Sequence, residues 1–213
     1  MECYDINEVD FSGCGPLACT TQNGHEVVVK ILLGWREIYP NKPDNRGKTP
    51  LSYMASYGHE GVVAMLLRRE EVNPNKGDRS RRTPLLYAAK SGHEGVVKIL
   101  LGREEVNSEK PDDDGRTPFS FAAWNGHEGL AKIPLGQEKV SPNNLDEDCR
   151  IPLMHATKCG HGGVVKILLE REEVGADKPD IWGETLLSGA VRIGIEGGES
   201  TAPAERDQPQ QGR

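Results

Sequence analysis

The sequence has little of the material that a large globular core requires. Residues of the set AVILMFWYC make up 36% of its 213 residues, and aromatic residues make up only 5%. Apolar runs are no longer than about seven residues, far short of the ~20 that a membrane-spanning helix needs. The N-terminal segment has neither the basic stretch nor the apolar stretch of a secretion signal. We therefore expect neither export nor membrane insertion, and we predict a cytoplasmic or nuclear protein.

Positive charge is also in short supply. Twenty-six Lys and Arg residues face 33 Asp and Glu residues, which gives a net charge of −7. A chain of this charge has no general attraction to a phosphate backbone or to an anionic membrane surface. We predict that its partners include no nucleic acid and no membrane.

The cysteines do not form the pattern of a disulfide framework. There are five of them, an odd number, at Cys3, Cys14, Cys19, Cys149 and Cys159, without CxxC spacing. We interpret them as reduced thiols that pack as small, partly buried side chains. A redox pair of Cys149 with Cys159 is the alternative.

What the sequence does have is a repeat with a period of 34 residues. Two independent markers share this period, and a fixed period of this length is typical of stacked solenoids. The first marker is a proline or its replacement, at Pro16, Pro50, Pro84, Pro118, Pro152 and Leu186. The second is a Gly-His dipeptide that begins at Gly24, Gly58, Gly92, Gly126 and Gly160.

The local chemistry of one unit predicts two short antiparallel helices. Thr83 is a suitable N-cap and Pro84 suits the first helical position, so a helix begins there. Gly92 suits the left-handed residue that ends a helix, and Glu94 suits the first turn of a second one. That second helix is apolar over most of its circumference, so neighbouring units must stack to bury it. The polar segment 104–116 then projects from the stack as a turn.

These residues carry a family resemblance over roughly residues 5 to 193. Gly-x-Thr-Pro-Leu, then Ala-Ala, then Gly-His-x-x-Val-Val-x-x-Leu-Leu is similar to the ankyrin repeat. The connecting Arg-Glu-Glu-Val-Asn-Pro resembles the arrays of fungi, which are often attached to nucleotide-dependent receptor-like proteins. The resemblance implies an all-α solenoid of about six stacked helix-loop-helix units with projecting hairpin-like turns. It also implies a concave face that binds other proteins.

The period divides the chain into an array over residues 1–193 and a disordered tail over residues 194–213. Units are expected near 10–43, 44–77, 78–111, 112–145 and 146–179, with an incomplete one at 180–193. The pattern starts in the middle of a unit, so the sequence is compatible with a stand-alone array or with a piece of a longer one. We expect a monomer unless the chain is part of such an array.

Three features depart from the ankyrin pattern. The histidine that usually follows Thr-Pro-Leu is replaced in every unit, so its hydrogen bonds between repeats should be missing. Arg81 and Cys149 stand where other units have glycine, at a position expected to have positive φ, which strains a side chain. Pro134 stands where other units have leucine, and it should break the second helix of unit four.

The resemblance also assigns the partner-facing positions, which lie on the projecting turns and at the ends of the first helices. Matched onto this chain, they form a basic half in units two and three and an acidic half in units four and five. The residues are Arg46, Lys48, Tyr57, Arg79, Arg82, Lys90, Asp113, Asp114, Arg116, Trp124, Asn125, Glu147 and Asp148. The alternative is that these charges only keep the array soluble.

Other chemistries find no support in the sequence. Five of the six histidines are copies of one repeat position, which cannot converge on one metal ion. Gly47-Lys48-Thr49 lacks the earlier glycine of a phosphate-binding loop, since Lys42 stands there, and no HExxH motif is present. We predict a protein with no catalytic residues, no metal and no cofactor that binds another protein. The alternative is a sensor or regulatory fragment of a larger nucleotide-dependent receptor whose enzymatic module lies on another chain.

Overall fold

The computed structural model describes residues 5–22, 25–133, 141–171, 174–175, 178–189 and 191. Over these residues the chain forms helices and turns and no β-strand, as the sequence predicts. The helices are α1 (Pro16–Gln22), α2 (Glu26–Leu33), α3 (Pro50–Tyr57), α4 (Glu60–Leu66), α5 (Pro84–Ser91), α6 (Glu94–Leu101), α7 (Pro118–Trp124), α8 (Glu128–Lys132), α9 (Pro152–Lys158) and α10 (Gly162–Leu169).

The helices are arranged in two rows. The first helices of the units, α1, α3, α5, α7 and α9, contact one another in series. Among the second helices, α2, α4 and α6 contact one another in series, and α8 contacts α10. Each first helix also packs against the second helix of its own unit. The chain is therefore a stack of helix pairs, which confirms the predicted solenoid.

The helices begin and end at the residues that the repeat chemistry predicts. The Oγ1 atom of Thr83 accepts a hydrogen bond from the backbone N–H of Leu86, and Pro84 is the first residue of α5. Gly92 ends α5 with φ 76°. In unit five, Ile151 stands at the N-cap of α9 and provides no side-chain bond.

The apolar residues of the stack form two main clusters that meet in unit four. The N-terminal core runs from Leu17 to Leu130, and the C-terminal core runs from Phe119 to Leu168. Helix α7 contributes Ala122 to the first core and Ala123 to the second. The two cores are thus neighbours along one stack, and their boundary lies in α7 and α8.

The Gly-His dipeptide connects each unit to the one before it. The Nε2–H of His93 donates to the carbonyl oxygen of Ser56 at 3.0 Å, and the other histidines of the stack repeat this contact. They are His59, His127 and His161, which bond to the carbonyls of Thr21, Lys90 and Trp124. The histidine of the Gly-His dipeptide therefore provides a hydrogen bond between consecutive units.

Two of the three predicted departures lie within the described residues. Arg81 and Cys149 have φ of 61° and 59°, which confirms the expected positive φ. Helix α8 has five residues where α6 has eight. Pro134 itself and the predicted tail over residues 194–213 lie outside the described residues. No helix in the described part of the chain is long and apolar enough to cross a bilayer.

Candidate partner-binding surface

Each projecting turn is closed by one aspartate whose position recurs every 34 residues. The Oδ1 atom of Asp78 accepts hydrogen bonds from the backbone N–H groups of Ser80 and Arg82, both at 2.9 Å. The same pair of bonds, 2.8 to 3.1 Å long, recurs in the other turns. The aspartates are Asp10, Asp44, Asp78, Asp112, Asp146 and Asp180. We call each turn, from its aspartate to the fourth residue after it, a finger.

Backbone hydrogen bonds join each finger to the next one. The N–H of Arg79 donates to the carbonyl of Arg46 at 2.9 Å, and the N–H of Asp113 donates to the carbonyl of Ser80 at 3.1 Å. Equivalent bonds continue the series to the finger of unit six. The fingers therefore stand in a row beside the first helices, and together these two rows form what we call the inner face.

In units two, three and five, the second oxygen of the finger aspartate is bound by a side chain of the first helix of the same unit. The hydroxyl of Tyr53 donates to Asp44 at 2.7 Å, and the hydroxyl of Tyr87 donates to Asp78 at 2.6 Å. In unit five, Nε2 of His155 lies 2.8 Å from Oδ2 of Asp146. The donor changes from unit to unit, but the aspartate always has one.

In unit four, the finger aspartate is bound by a donor that is not a hydroxyl. Phe121 stands at the repeat position of Tyr53 and Tyr87 and offers no donor. The guanidinium of Arg116 instead bonds to Oδ2 of Asp112 at 3.0 Å and also contacts Asp114. A charged pair thus replaces the neutral donor, which gives a stronger and more directional bond.

Cations lie over aromatic rings along the inner face. Nζ of Lys48 is 4.2 Å from the ring centroids of both Tyr53 and Tyr87, which belong to consecutive units. Arg82 lies 5.5 Å from the ring of Tyr87, and Arg150 lies 4.4 Å from the ring of Trp182. Such contacts are favourable by about 0.5–2 kcal/mol, and they hold the cations in fixed positions.

The burial of this face shifts the proton affinity of three groups. Burial lowers the pKa of Lys48 to about 8, and burial together with the bond to Asp78 raises the pKa of Tyr87. Burial opposes the ionisation of Asp146, yet the bonds from His155 and from the backbone N–H of Arg150 outweigh it and lower its pKa. The carboxylate of Asp146 is therefore ionised well below neutral pH.

The structure places all the predicted site residues on or beside the inner face. They fall into two classes by the exposure of their side chains. The exposed ones are Arg46, Tyr57, Arg79, Asp113, Asp114, Asn125 and Glu147. The half-buried ones are Lys48, Arg82, Lys90, Arg116, Trp124 and Asp148. Most of the half-buried residues have intramolecular contacts: Arg82 and Arg116 with finger aspartates, Lys90 with the ring of Phe121, and Asp148 with Arg150.

Trp124 is less exposed than the sequence suggests. Its ring stacks on that of His155 in the next unit, with centroids 4.8 Å apart and an interplanar angle of 24°. The guanidinium of Arg116 lies 5.7 Å from the same ring. Trp124 therefore supports the joint between units four and five as well as offering one edge to the inner face.

Sequence reasoning missed the role of the finger aspartates, and it named the cations Lys48, Arg82 and Arg116 only as partner-facing charges, without their contacts inside the chain. Both sets of residues recur with the same 34-residue period as the prolines. Asp44, Asp78 and Asp112 are 34 residues apart, and so are Lys48 and Arg82. Their roles could not be inferred from spacing alone, because they depend on which side chain of the first helix reaches back to the finger.

Comparison with known protein families identifies the repeat. The family model of ankyrin repeats (3 copies) matches residues 1–78 and 69–144, about two thirds of the chain. No curated protein matches it. Ankyrin repeats are generally modules that bind other proteins, and they are typically non-catalytic.

Proposed function

Because this chain belongs to the ankyrin repeat family, we propose that it binds a partner protein through its inner face and has no catalysis of its own. The observation that carries the proposal is the row of cations and aromatic rings over consecutive units. Arg, Tyr and Trp are the residue types enriched among binding hot spots. On this face they are also held in place by the fingers before any partner arrives, which lowers the entropic cost of binding.

Some of the exposed charged side chains on the fingers are not used in ion pairs with other described residues. Within the described part of the chain, the side chains of Arg46, Arg79 and Glu147 take part in no ion pair. By contrast, Asp113 lies 3.8 Å from Arg81, and Asp114 contacts Arg116. We therefore propose an acidic segment of the partner opposite Arg46 and Arg79, and a basic segment opposite Glu147.

Tyr57 and Trp124 are the proposed apolar anchors of the contact. Tyr57 ends α3 and is exposed, with its ring 6.2 Å from the ring of His59. Trp124 ends α7 two units further along the same row. A partner that spans both would cover the inner face from unit two to unit four.

The proposal is tested by comparing the proteins that two matched variants capture from an extract. The first is Arg46→Glu with Arg79→Glu on the fingers. The control is Lys30→Glu with Lys98→Glu on the second-helix row, which makes the same change in net charge and involves exposed residues. We expect at least one protein to be captured by the parent and the control but not by the finger variant. Equal capture by both variants would refute binding through the inner face.

Once such a partner is isolated, Trp124→Ala should weaken its binding by about 2 kcal/mol, because aromatic residues of this kind dominate interface energetics. Tyr57→Ala is the companion variant, since Tyr57 is exposed and its removal leaves the core intact. Affinity is measured by calorimetry, and melting curves confirm that both variants are folded. The finger variant should mainly slow association, and the effect should fade as salt is added. Unchanged affinity in both aromatic variants would place the contact elsewhere.

The sequence also suggested a sensor or regulatory fragment of a larger nucleotide-dependent receptor. This alternative shares the partner-binding face and differs in what the partner does. A nucleotide-hydrolysing protein among the captured proteins would favour it.

A further inference from the structure

The first finger carries different chemistry from the others. The aspartate, the residue four positions on and the residue nine positions on are Asp10, Cys14 and Cys19. In unit two the same three positions hold Asp44, Lys48 and Tyr53. Unit one thus keeps the aspartate but has two thiols in place of the cation and the aromatic ring.

The fold brings these three side chains together. The Sγ atom of Cys19 lies 3.7 Å from Oδ2 of Asp10 and 3.5 Å from the carbonyl oxygen of Cys14. One carboxylate oxygen and the two sulfur atoms all lie within 4.8 Å of one another. Among the described residues, this is the one group of three or more such ligands that meets this distance limit.

These distances suit a tetrahedral metal ion. With Zn–S bonds of 2.3 Å and a Zn–O bond of 2.0–2.2 Å, two sulfur ligands are ~3.8 Å apart and a sulfur and an oxygen are ~3.6 Å apart. The observed separation of Sγ of Cys19 from Oδ2 of Asp10 is 3.7 Å. The second sulfur, that of Cys14, lies within 4.8 Å of both other ligand atoms, about 1 Å beyond the separation in a metal site at most.

The electrostatics of the first finger also favour a cation. The carboxylates of Asp78 and Asp112 each lie 3.0 Å from an arginine nitrogen. For Asp10, no basic side chain of the described residues lies within ion-pair distance. The hydrogen bonds of Ser12 and of the backbone of Cys14 fix its Oδ1 atom and leave Oδ2 directed at Cys19.

We propose that Asp10, Cys14 and Cys19 bind one borderline-soft divalent metal ion of the zinc class, through two thiolate sulfurs and one carboxylate oxygen. Thiolates select such ions over the hard cations calcium and magnesium. Two thiol protons pass to solvent as the two metal–sulfur bonds form, and a water molecule takes the fourth position. Asp10 is exposed, so the ion has a path to the buried Cys14.

The sequence-based expectation of no metal rested on the histidines, and the cysteines were interpreted only as reduced thiols. The spacing of Cys14 and Cys19 has no standard motif, because Cys14 lies on a finger and Cys19 lies one turn into α1. Their proximity follows from the repeat, in which the same two positions hold Lys48 over Tyr53. Bound metal would tie the first finger to the first helix, where the other units use a hydrogen bond or an ion pair.

The test uses the full chain, kept reduced, with Cys3→Ser, Cys149→Ser and Cys159→Ser as the background. In this chain Cys14 and Cys19 are the remaining cysteines, since the sequence has five. Addition of Co²⁺ should give one bound ion per chain with the absorption of thiolate-to-cobalt charge transfer, and Zn²⁺ should displace it. The signal should vanish in Cys14→Ser and in Cys19→Ser, and Asp10→Asn should weaken binding by about tenfold or more. Absence of the charge-transfer band, or its persistence in either serine variant, would overturn the proposal.

A second measurement needs no substitution and so does not depend on a variant's folding. Alkylation of each thiol in the parent chain is followed by mass spectrometry with and without Zn²⁺. At a Zn²⁺ concentration ten times Kd, Cys14 and Cys19 should react ~tenfold more slowly, while Cys149 is unaffected. Equal slowing of all three thiols, or slowing of none, contradicts the site.

Discussion

Units two and three and units four and five carry the same repeat, but they differ at the positions that hold a repeat together. Helix α6 in unit three has eight residues, and its Leu100 is fully buried, whereas α8 in unit four has five. Unit two begins its first helix with the capping threonine Thr49, whereas unit five has Ile151. The stack therefore combines a well-formed N-terminal half with a C-terminal half that has lost several local stabilising features.

This difference shows how a solenoid tolerates substitutions that weaken a single repeat. Its stability is approximately a sum of terms for each repeat and for each pair of neighbours, so a poor unit weakens its own joints without unfolding distant ones. In this chain, the weakened unit is unit four. It lies at the boundary between the two cores, where the finger tips also change from basic to acidic. Trp124 stacks on His155 across the joint between units four and five.

The largest expected effects come from exchanging leucine and proline at one repeat position of the second helices. Leu100 in unit three and Pro134 in unit four occupy this position, 34 residues apart. Leu100→Pro should destabilise the N-terminal half by at least about 3 kcal/mol, because proline breaks a helix interior and a buried side chain is lost. The converse change, Pro134→Leu, should stabilise the chain by up to about 3 kcal/mol. Urea unfolding followed by circular dichroism measures both changes in the free energy of unfolding.

Leu100→Ala, at the same buried position, separates the effect of proline from that of lost side-chain volume. If Pro134→Leu leaves the stability unchanged, unit four is not limited by its proline, and the comparison of α6 with α8 has another cause.

A smaller effect is expected at the aspartate of unit five. His155→Phe should cost about 1–3 kcal/mol, because it leaves Oδ2 of the buried Asp146 without the imidazole donor. His155→Tyr should cost less, since Tyr53 and Tyr87 show that a hydroxyl at this position reaches the aspartate. The measurement is the free energy of unfolding of both variants near neutral pH.

The same aspartate makes the stability of unit five depend on acid pH. Because the folded state lowers the pKa of Asp146 below 3.8, its contribution is complete above that value and is lost as the pH falls through the lower, folded-state pKa. In His155→Phe the folded-state pKa should rise, so the loss below pH 4 should shrink. An acid dependence identical to that of the parent would show that His155 does not hold this carboxylate.

The smallest effect is expected at the strained finger positions. Arg81→Gly and Cys149→Gly should each stabilise the chain by about 1 kcal/mol, because a residue with a side chain is disfavoured at positive φ. Gly47→Ala is the matched opposite, since Gly47 has φ 83° and an added Cβ would lie 3.1 Å from the backbone nitrogen of Arg79. It should destabilise by a similar amount or more. Stabilisation by Gly47→Ala would show that the position tolerates side chains.

The sequence alone predicted most of the fold because the repeat is a strong and redundant signal. It placed the helix pair of unit three at Pro84 and Glu94, and the structure begins α5 and α6 at these residues. The binding surface was predicted only as a set of positions. Whether Arg82 is a free charge or bound to Asp78 depends on side-chain packing, which the spacing of residues does not determine. For the same reason the sequence did not reveal the group of Asp10, Cys14 and Cys19.

Hydrogen exchange of the backbone amides, resolved by residue, tests most directly the claim that the stack is two blocks joined at unit four. Protection arises from local and global openings, so it reports the stability of each helix in place. We predict that amides of residues 128–132 exchange at least about tenfold faster than those of residues 94–101, a difference of about 1.4 kcal/mol. We also predict that the N-terminal and C-terminal cores exchange as separate groups. Equal protection of the two segments, with one common opening for the whole stack, would contradict this claim.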